Sequence, residues 1–166
     1  SSLIIRKSDF QAAGGFDTGY WPGEDTILCL KLTHELGKRI VYDPAVRVCH
    51  HRREIFTPHL RQIKSYALHR GFFARKFSQT SLKPGYFVPS AFTLFALTGW
   101  LSIFSSAKLF TLWVVIMGIY ASLALFFSIR SCNPLGILGV WAGTLLTHLT
   151  YGVWFIKGLT VKEVRD

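Results

Sequence analysis

The chain has 166 residues, half of them apolar, with three cysteines and a formal net charge of +10, a size that suits one domain. The charge is not spread evenly: residues 1–83 carry 14 of the 19 Lys and Arg and 7 of the 9 Asp and Glu, whereas residues 84–156 hold only Lys108 and Arg130 and no acid. A basic excess concentrated at 52–83, directly ahead of apolar spans, fits anionic lipid headgroups and argues against nucleic acid, and the isolated Cys29, Cys49 and Cys132 exclude a CxxC zinc site or disulfide framework.

The chain opens at Ser1-Ser2-Leu3-Ile4-Ile5-Arg6 without an initiating methionine or a signal peptide. That stretch reads as the middle of a strand, so the sequence is expected to be the C-terminal part of something longer. Leu3–Ile5 is the first strand candidate. Ser8 or Asp9 caps a short helix running to Ala13, which Gly14-Gly15 stops. Residues 16–23 mix Gly, Pro, Asp and aromatics without a period and form a loop. A helix follows from about Asp25 to Leu36, with Leu28, Cys29, Leu32 and Leu36 near one face and Gly37 as a left-handed terminator. Arg39–Tyr42 and Val46–Cys49 are strand candidates on either side of an Asp43-Pro44 turn. Strand, helix and strand together predict an α/β layer, although about fifty residues are too few to bury much of a core alone.

Residues 57–78 have the pattern of an amphipathic helix. Leu60, Ile63, Tyr66, Ala67, Phe73, Ala74 and Phe77 lie on one arc and Arg61, Lys64, His69, Arg75 and Lys76 opposite. Leu68, Arg70 and Phe72 break the pattern, and Gly71 is a point of interruption. Such a helix either lies in the membrane interface or docks on its own domain. Lys83-Pro84-Gly85 ends it. Apolar runs at about 87–106, 109–129 and 135–156 each approach the twenty residues that cross a bilayer. Gly139 and Gly143 in the third offer a small-xxx-small packing face. Three crossings from a basic cytosolic start place the tail at 157–166 outside, yet that tail has three Lys and Arg. Either the tail tolerates that side or the third run does not fully cross.

The densest chemistry lies at 14–53. Glu24 and Asp25 follow a Pro-Gly turn at the mouth of a helix. Acids there are stabilised by the helix dipole and free N–H groups, which explains both without catalysis. The alternative is general-base chemistry, in which one carboxylate takes a proton from an attacking hydroxyl and its neighbour tunes or orients. His50 and His51 point to opposite faces if extended, so only one of them can serve a metal. Arg52 and Arg53 suit phosphate or lipid headgroup oxygens, or are ordinary interfacial charge.

Gly14-Gly15-Phe16-Asp17, Gly23-Glu24-Asp25-Thr26, Tyr42-Asp43-Pro44 and His50-His51-Arg52-Arg53, in that spacing, resemble the C-terminal half of a family-2 glycosyltransferase domain of the membrane-anchored, polysaccharide-building type. The resemblance covers about residues 1–53. It implies part of a GT-A fold, a Rossmann-like α/β half, and inverting transfer of a sugar from a nucleotide-sugar donor to a lipid-linked or polysaccharide acceptor. Asp25 matches the base and Glu24 its support. Gly14, Gly15, Phe16 and Asp17, with Trp21 beside them, would line the acceptor site. His50 matches a ligand for a divalent metal, Mg or Mn, expected in the full-length enzyme. The family's donor half and its DxD are missing here, since no DxD occurs in the sequence.

The organisation expected is then an acceptor-side catalytic part at 1–53, a basic interface helix and linker at 54–83, transmembrane helices at 84–156 and a tail at 157–166. The catalytic part would face the cytosol from a multi-pass inner membrane, with membrane lipids as partners. A competing expectation from the same residues is a non-catalytic membrane scaffold or export-complex subunit. A pore is a third, weaker expectation, because His148 and Arg130 are the only ionisable residues to offer it.

Overall fold

The computed structural model describes residues 3–49, 54–130 and 133–164. Its regular elements are helices: α1 (Lys7–Ala12), α2 (Glu24–Leu30), α3 (Thr57–Lys76), α4 (Ser78–Ser81), α5 (Pro84–Thr98), α6 (Ala107–Ser128) and α7 (Pro134–Thr160). Short 3-10 turns at Thr18–Tyr20 and Gly99–Phe104 and a π-helical turn at Lys31–Glu35 complete them.

No strand forms among the described residues. The expected α/β layer is therefore corrected to an all-helical arrangement. Residues 3–6 and 38–43 avoid helix, as their composition predicts, and the chain does turn at Asp43, whose carbonyl accepts from Val46 N at 3.2 Å and whose Oδ1 accepts from Ala45 N at 2.8 Å. The arms of that turn do not pair, and Ile40, Val41, Tyr42, Val46 and Val48 stay exposed. The physical reason is that β-propensity measures fit to a pleated, half-buried surface. A two-stranded ribbon without further strands or a covering helix is marginal.

The helical expectations at the N-terminal end fare better. α1 stops where Gly14 takes φ 78°, a conformation closed to most side chains. α2 passes into the π-helical turn, which ends ahead of Gly37 at φ 60°. Ala13, Leu28 and Leu32 form a small core with Ile5, Phe10 and Leu36 around it.

α3 runs unbroken through Gly71 and has two apolar faces rather than one. Phe72 and Phe73, with Ile27 of α2, pack against Tyr20, Phe77, Val161 and Val164. Ala67 and Ala74 pack with Phe155 of α7, flanked by Tyr86, Phe87, Tyr151, Trp154 and Leu159. Phe72 breaks the single-stripe pattern because it belongs to the first of these faces. His69, expected on the polar side, is 3% exposed, whereas Tyr66, expected on the apolar arc, is 46% exposed. α3 is thus docked on its own chain.

α7 returns to α3. Gly71 and Gly158 meet at the crossing, and Arg75 donates to the carbonyls of Leu159, at 3.1 Å, and Val161. α5 and α7 run antiparallel: Phe87 meets Phe155 with ring centroids 5.0 Å apart, Ser90 Oγ donates to Gly152 O at 3.3 Å, and Thr93 Oγ1 donates to His148 O at 3.2 Å. α6 joins through Tyr120, whose ring lies tilted against Phe92 with centroids 4.4 Å apart and whose hydroxyl shares a 2.5 Å hydrogen bond with His148 Nδ1. Trp113 Nε1 and Trp141 Nε1 donate to the carbonyls of Phe95 and Ala121 at 3.0 and 2.9 Å. Among the described residues, Gly139 has nothing within 4 Å of where a side chain would start, and Gly143 meets only Ile55. The close-packing glycines of α7 are instead Gly152 and Gly158.

Two helical stretches, Pro84–Phe104 and Ala107–Ser128, are long and apolar enough to cross a membrane, and α7, which holds the third expected run at 135–156, is long enough but not apolar enough. Their outward residues, among them Leu97, Ile103, Leu112, Ile119 and Phe126, are exposed. Apolar surface of that extent points to membrane association. The end of α7 lies beside the start of α5 and against α3, so the start of the tail is on the same side of the fold as the basic helix.

Candidate functional site

Glu24 and Asp25 open α2, as their position after Pro22-Gly23 predicts. The turn in front of them is built locally. Asp17 caps the Thr18–Tyr20 turn, accepting from Gly19 N at 3.2 Å, and Gly23 N donates to Tyr20 O at 2.5 Å. Tyr20 then inserts among Phe72, Phe73 and Phe77 of the α3 end, with ring centroids 6.5, 5.9 and 5.4 Å away. Gly23 lies flat on Phe73, and a Cβ there would fall 2.5 Å from the phenyl edge. A side chain there would have to displace the Phe73 ring, so glycine is favoured by close approach rather than by turn geometry. These contacts bolt the carboxylate pair to the basic helix.

The two carboxylates differ. Asp25 is exposed, and its Oδ1 accepts from its own helix start, Thr26 N at 2.6 Å and Thr26 Oγ1 at 3.3 Å. Its other oxygen has no partner among the described residues. Glu24 is half-buried, and its Oε2 is shut from solvent without a hydrogen bond among the described residues. His69 Nε2 is the other such atom, while His69 Nδ1 lies 2.9 Å from Ser65 O. His69 sits one turn before Phe73 on α3, their rings edge to face at 6.3 Å. Burial pushes the Cys29 thiol above its ordinary value, and the Asp25 carboxylate one turn away adds to the shift. Both effects disfavour the thiolate, the reactive form of a cysteine.

The remaining expected site residues scatter. Gly14 and Gly15 close α1, with Gly15 against the Phe10 ring, and Phe16 meets Phe10 edge to face at 5.2 Å. Trp21 is 61% exposed beside the turn. Asp17 reaches the carboxylate pair only through the Thr18–Gly23 loop. A cavity of about 1030 Å³ is an open groove between residues 3–6 and 38–48, with Asp9 and Leu32 on its wall. It contains none of the expected site residues. Lys38 and Asp9, which line it, form an ion pair at 2.9 Å.

His50, Arg52 and Arg53 lie outside the described residues. Among the described residues no three His, Cys, Asp or Glu side chains converge as a metal site requires. Tyr20, His69 and Phe73, and the contact of Gly23 with Phe73, are what reasoning from sequence missed. One signal for them was available: Phe72 interrupts the stripe of an otherwise amphipathic helix, and a residue that breaks one face announces a second.

No family model, no curated protein and no solved structure matches the chain. Together with the helical fold, this overturns the family-2 resemblance: the described residues contain no part of a GT-A sheet. What remains is a helical chain with two stretches apolar enough to span a membrane. An exposed aspartate stands at a helix mouth, docked through aromatic contacts on the helix ahead of those spans.

Proposed function

We propose that this chain is the acceptor-side part of a membrane-held glycosyltransferase, with Asp25 as its general base. The observation that carries the reading is the docking of Gly23-Glu24-Asp25 on Phe73 of α3. It holds an exposed carboxylate beside the helix that leads into the apolar spans, where the hydroxyl of a lipid-linked or growing polysaccharide acceptor would arrive. In the step, the unengaged oxygen of Asp25 takes the hydroxyl proton as the acceptor oxygen bonds to the anomeric carbon of a nucleotide sugar. The bond from that carbon to the diphosphate breaks on the opposite face, and the nucleoside diphosphate leaves with its electron pair. Configuration inverts. Oδ1, bound to Thr26 N, fixes the carboxylate's direction, which is the positioning a general base needs. Glu24 would orient the acceptor hydroxyl. The donor would be bound by residues outside this chain, and the catalytic side would face the cytosol.

The test is sugar transfer from labelled nucleotide sugar to membrane lipid by the full-length protein, comparing the parent with Asp25→Asn. Loss of roughly 10²–10⁴-fold is expected. Turnover near that of the parent overturns the assignment.

One observation favours a second reading, a non-catalytic membrane module. The bonds from Thr26 N and Oγ1 to Asp25 Oδ1 are those of an acid serving only its own helix start. Under that reading Asp25→Asn changes stability slightly and no transfer is detected in the parent.

A further inference from the structure

We propose that Lys64, Trp154 and Lys157 form a binding site for the headgroup phosphate of an anionic membrane lipid. Trp154 and Lys157 are three residues apart on α7 and share a face. Lys64 comes from α3. The Gly71–Gly158 crossing carries α3 over α7 so that both ammonium groups reach the same indole: Lys64 Nζ lies 4.2 Å from the ring centre and Lys157 Nζ 4.5 Å. The two charges can be no farther apart than those distances laid end to end. Among the described residues no carboxylate lies within ion-pair distance of either ammonium.

Two like charges repel, and the ring's negative face offsets that only in part. An anion seated between or beside the ammoniums removes the conflict. Its source is a lipid rather than free phosphate because of where the site stands. Phe155, next to Trp154, packs on Phe87 in the first turn of α5, where the first apolar span begins. Arg70 lies over Tyr86 at 4.3 Å at the same level. Aromatics and cations sharing one level at the end of apolar helices mark a headgroup layer. Exposed Leu146 and Val153 lie on α7 toward its apolar side and offer the acyl chain a surface. A soluble phosphate would use none of this. The site depends on the α3–α7 crossing and not on the transfer reaction.

The test uses the full chain in nanodiscs of phosphatidylcholine with and without phosphatidylglycerol, reading lipid retention by native mass spectrometry after stepwise delipidation. The parent should keep phosphatidylglycerol in preference to phosphatidylcholine. Lys64→Gln with Lys157→Gln should weaken that preference about thirtyfold, from roughly 1 kcal/mol per surface cation. Lys64→Arg with Lys157→Arg should retain it, which separates lost charge from lost folding. Lys108→Gln, at the start of α6, should leave it unchanged. Equal retention of the two lipids by the parent overturns the proposal. So does an equal loss in Lys108→Gln, which would mean diffuse attraction. Displacement of the lipid by millimolar inorganic phosphate overturns the lipid as ligand in favour of a soluble anion.

Discussion

Gly71 of α3 and Gly158 of α7 each occupy the place where the other's side chain would be. A Cβ built on either falls 3.0 Å from the other's Cα and closer still to a carbonyl, that of Phe155 for Gly71 and that of Leu68 for Gly158. The obstacles are backbone atoms, which cannot rotate away as a side chain would. The basic helix and the end of the last helix are thereby locked at a fixed crossing, and the Tyr20–Phe73 contacts hang the carboxylate pair from the same helix.

Gly71→Ala should therefore destabilise the fold. Alanine gains up to about 1 kcal/mol in helix propensity, but overpacking in a closed contact loses about 1–3 kcal/mol, and here the overpacking prevails. Gly139→Ala meets nothing within 4 Å and should be neutral or slightly stabilising. Thermal unfolding of both variants in detergent checks the contrast.

At Gly152 the obstacle is partly a side chain. An added Cβ would lie 2.5 Å from Thr93 Cβ and 2.7 Å from Pro89 O. Gly152→Ala should lose about 1–3 kcal/mol. Adding Thr93→Ala removes the hydroxyl, the nearest obstacle, and should recover part of that and not all, because the Cβ of residue 93 and the Pro89 carbonyl stay. A double-mutant cycle on unfolding free energy measures the coupling.

Arg75 serves the last carbonyls of α7 through Leu159 O and Val161 O, where the helix dipole also favours a cation. Arg75→Gln should lose about 1 kcal/mol. The loss should be local: hydrogen exchange should quicken at Gly158–Val161 and not at the centre of α7.

Cys29 gives a pH test. Its thiol is raised by burial first and by the Asp25 carboxylate second, so the folded chain holds its proton to higher pH than the unfolded chain does. In a Cys49→Ser, Cys132→Ser background, alkylation at mildly alkaline pH should be slower for the folded than for the urea-unfolded protein. The two rates should approach each other as pH passes the folded value. Asp25→Asn removes the second cause, so the folded pKa falls and the rate at a given pH rises. Stability should decline as pH rises above the unfolded thiol value, because the unfolded state releases its proton first.

Local punctuation was legible in the chain. Gly14 and Gly37 stop the helices before them because φ near 78° and 60° excludes most other residues, and Asp43-Pro44 turns because an Asx side chain caps its own turn. Two of the three apolar runs, at 87–106 and 109–129, were legible because burial in hydrocarbon demands a length that can be counted; the run at 135–156 has the length, but α7 is not apolar enough to be a span. The strands were not: Ile40, Val41 and Tyr42 have strand composition, but a strand exists only with a neighbour to bond, and propensity does not supply one. The motif spacing at 14–53 misled for a related reason, since it describes order along the chain and not which surfaces close over it.

By itself, then, the sequence determined that helices stop ahead of Gly14 and Gly37, two of the stretches apolar enough to span a membrane, and that Glu24 and Asp25 sit at a helix mouth. These depend on residues within a few positions of one another. The tertiary structure alone decided that Gly23 lies against Phe73, that Gly71 meets Gly158, and that Lys64 and Lys157 share Trp154. Those pairings join residues far apart in sequence. They are set by which helix faces exclude each other's side chains, a property of two surfaces in contact that a period along one chain does not contain.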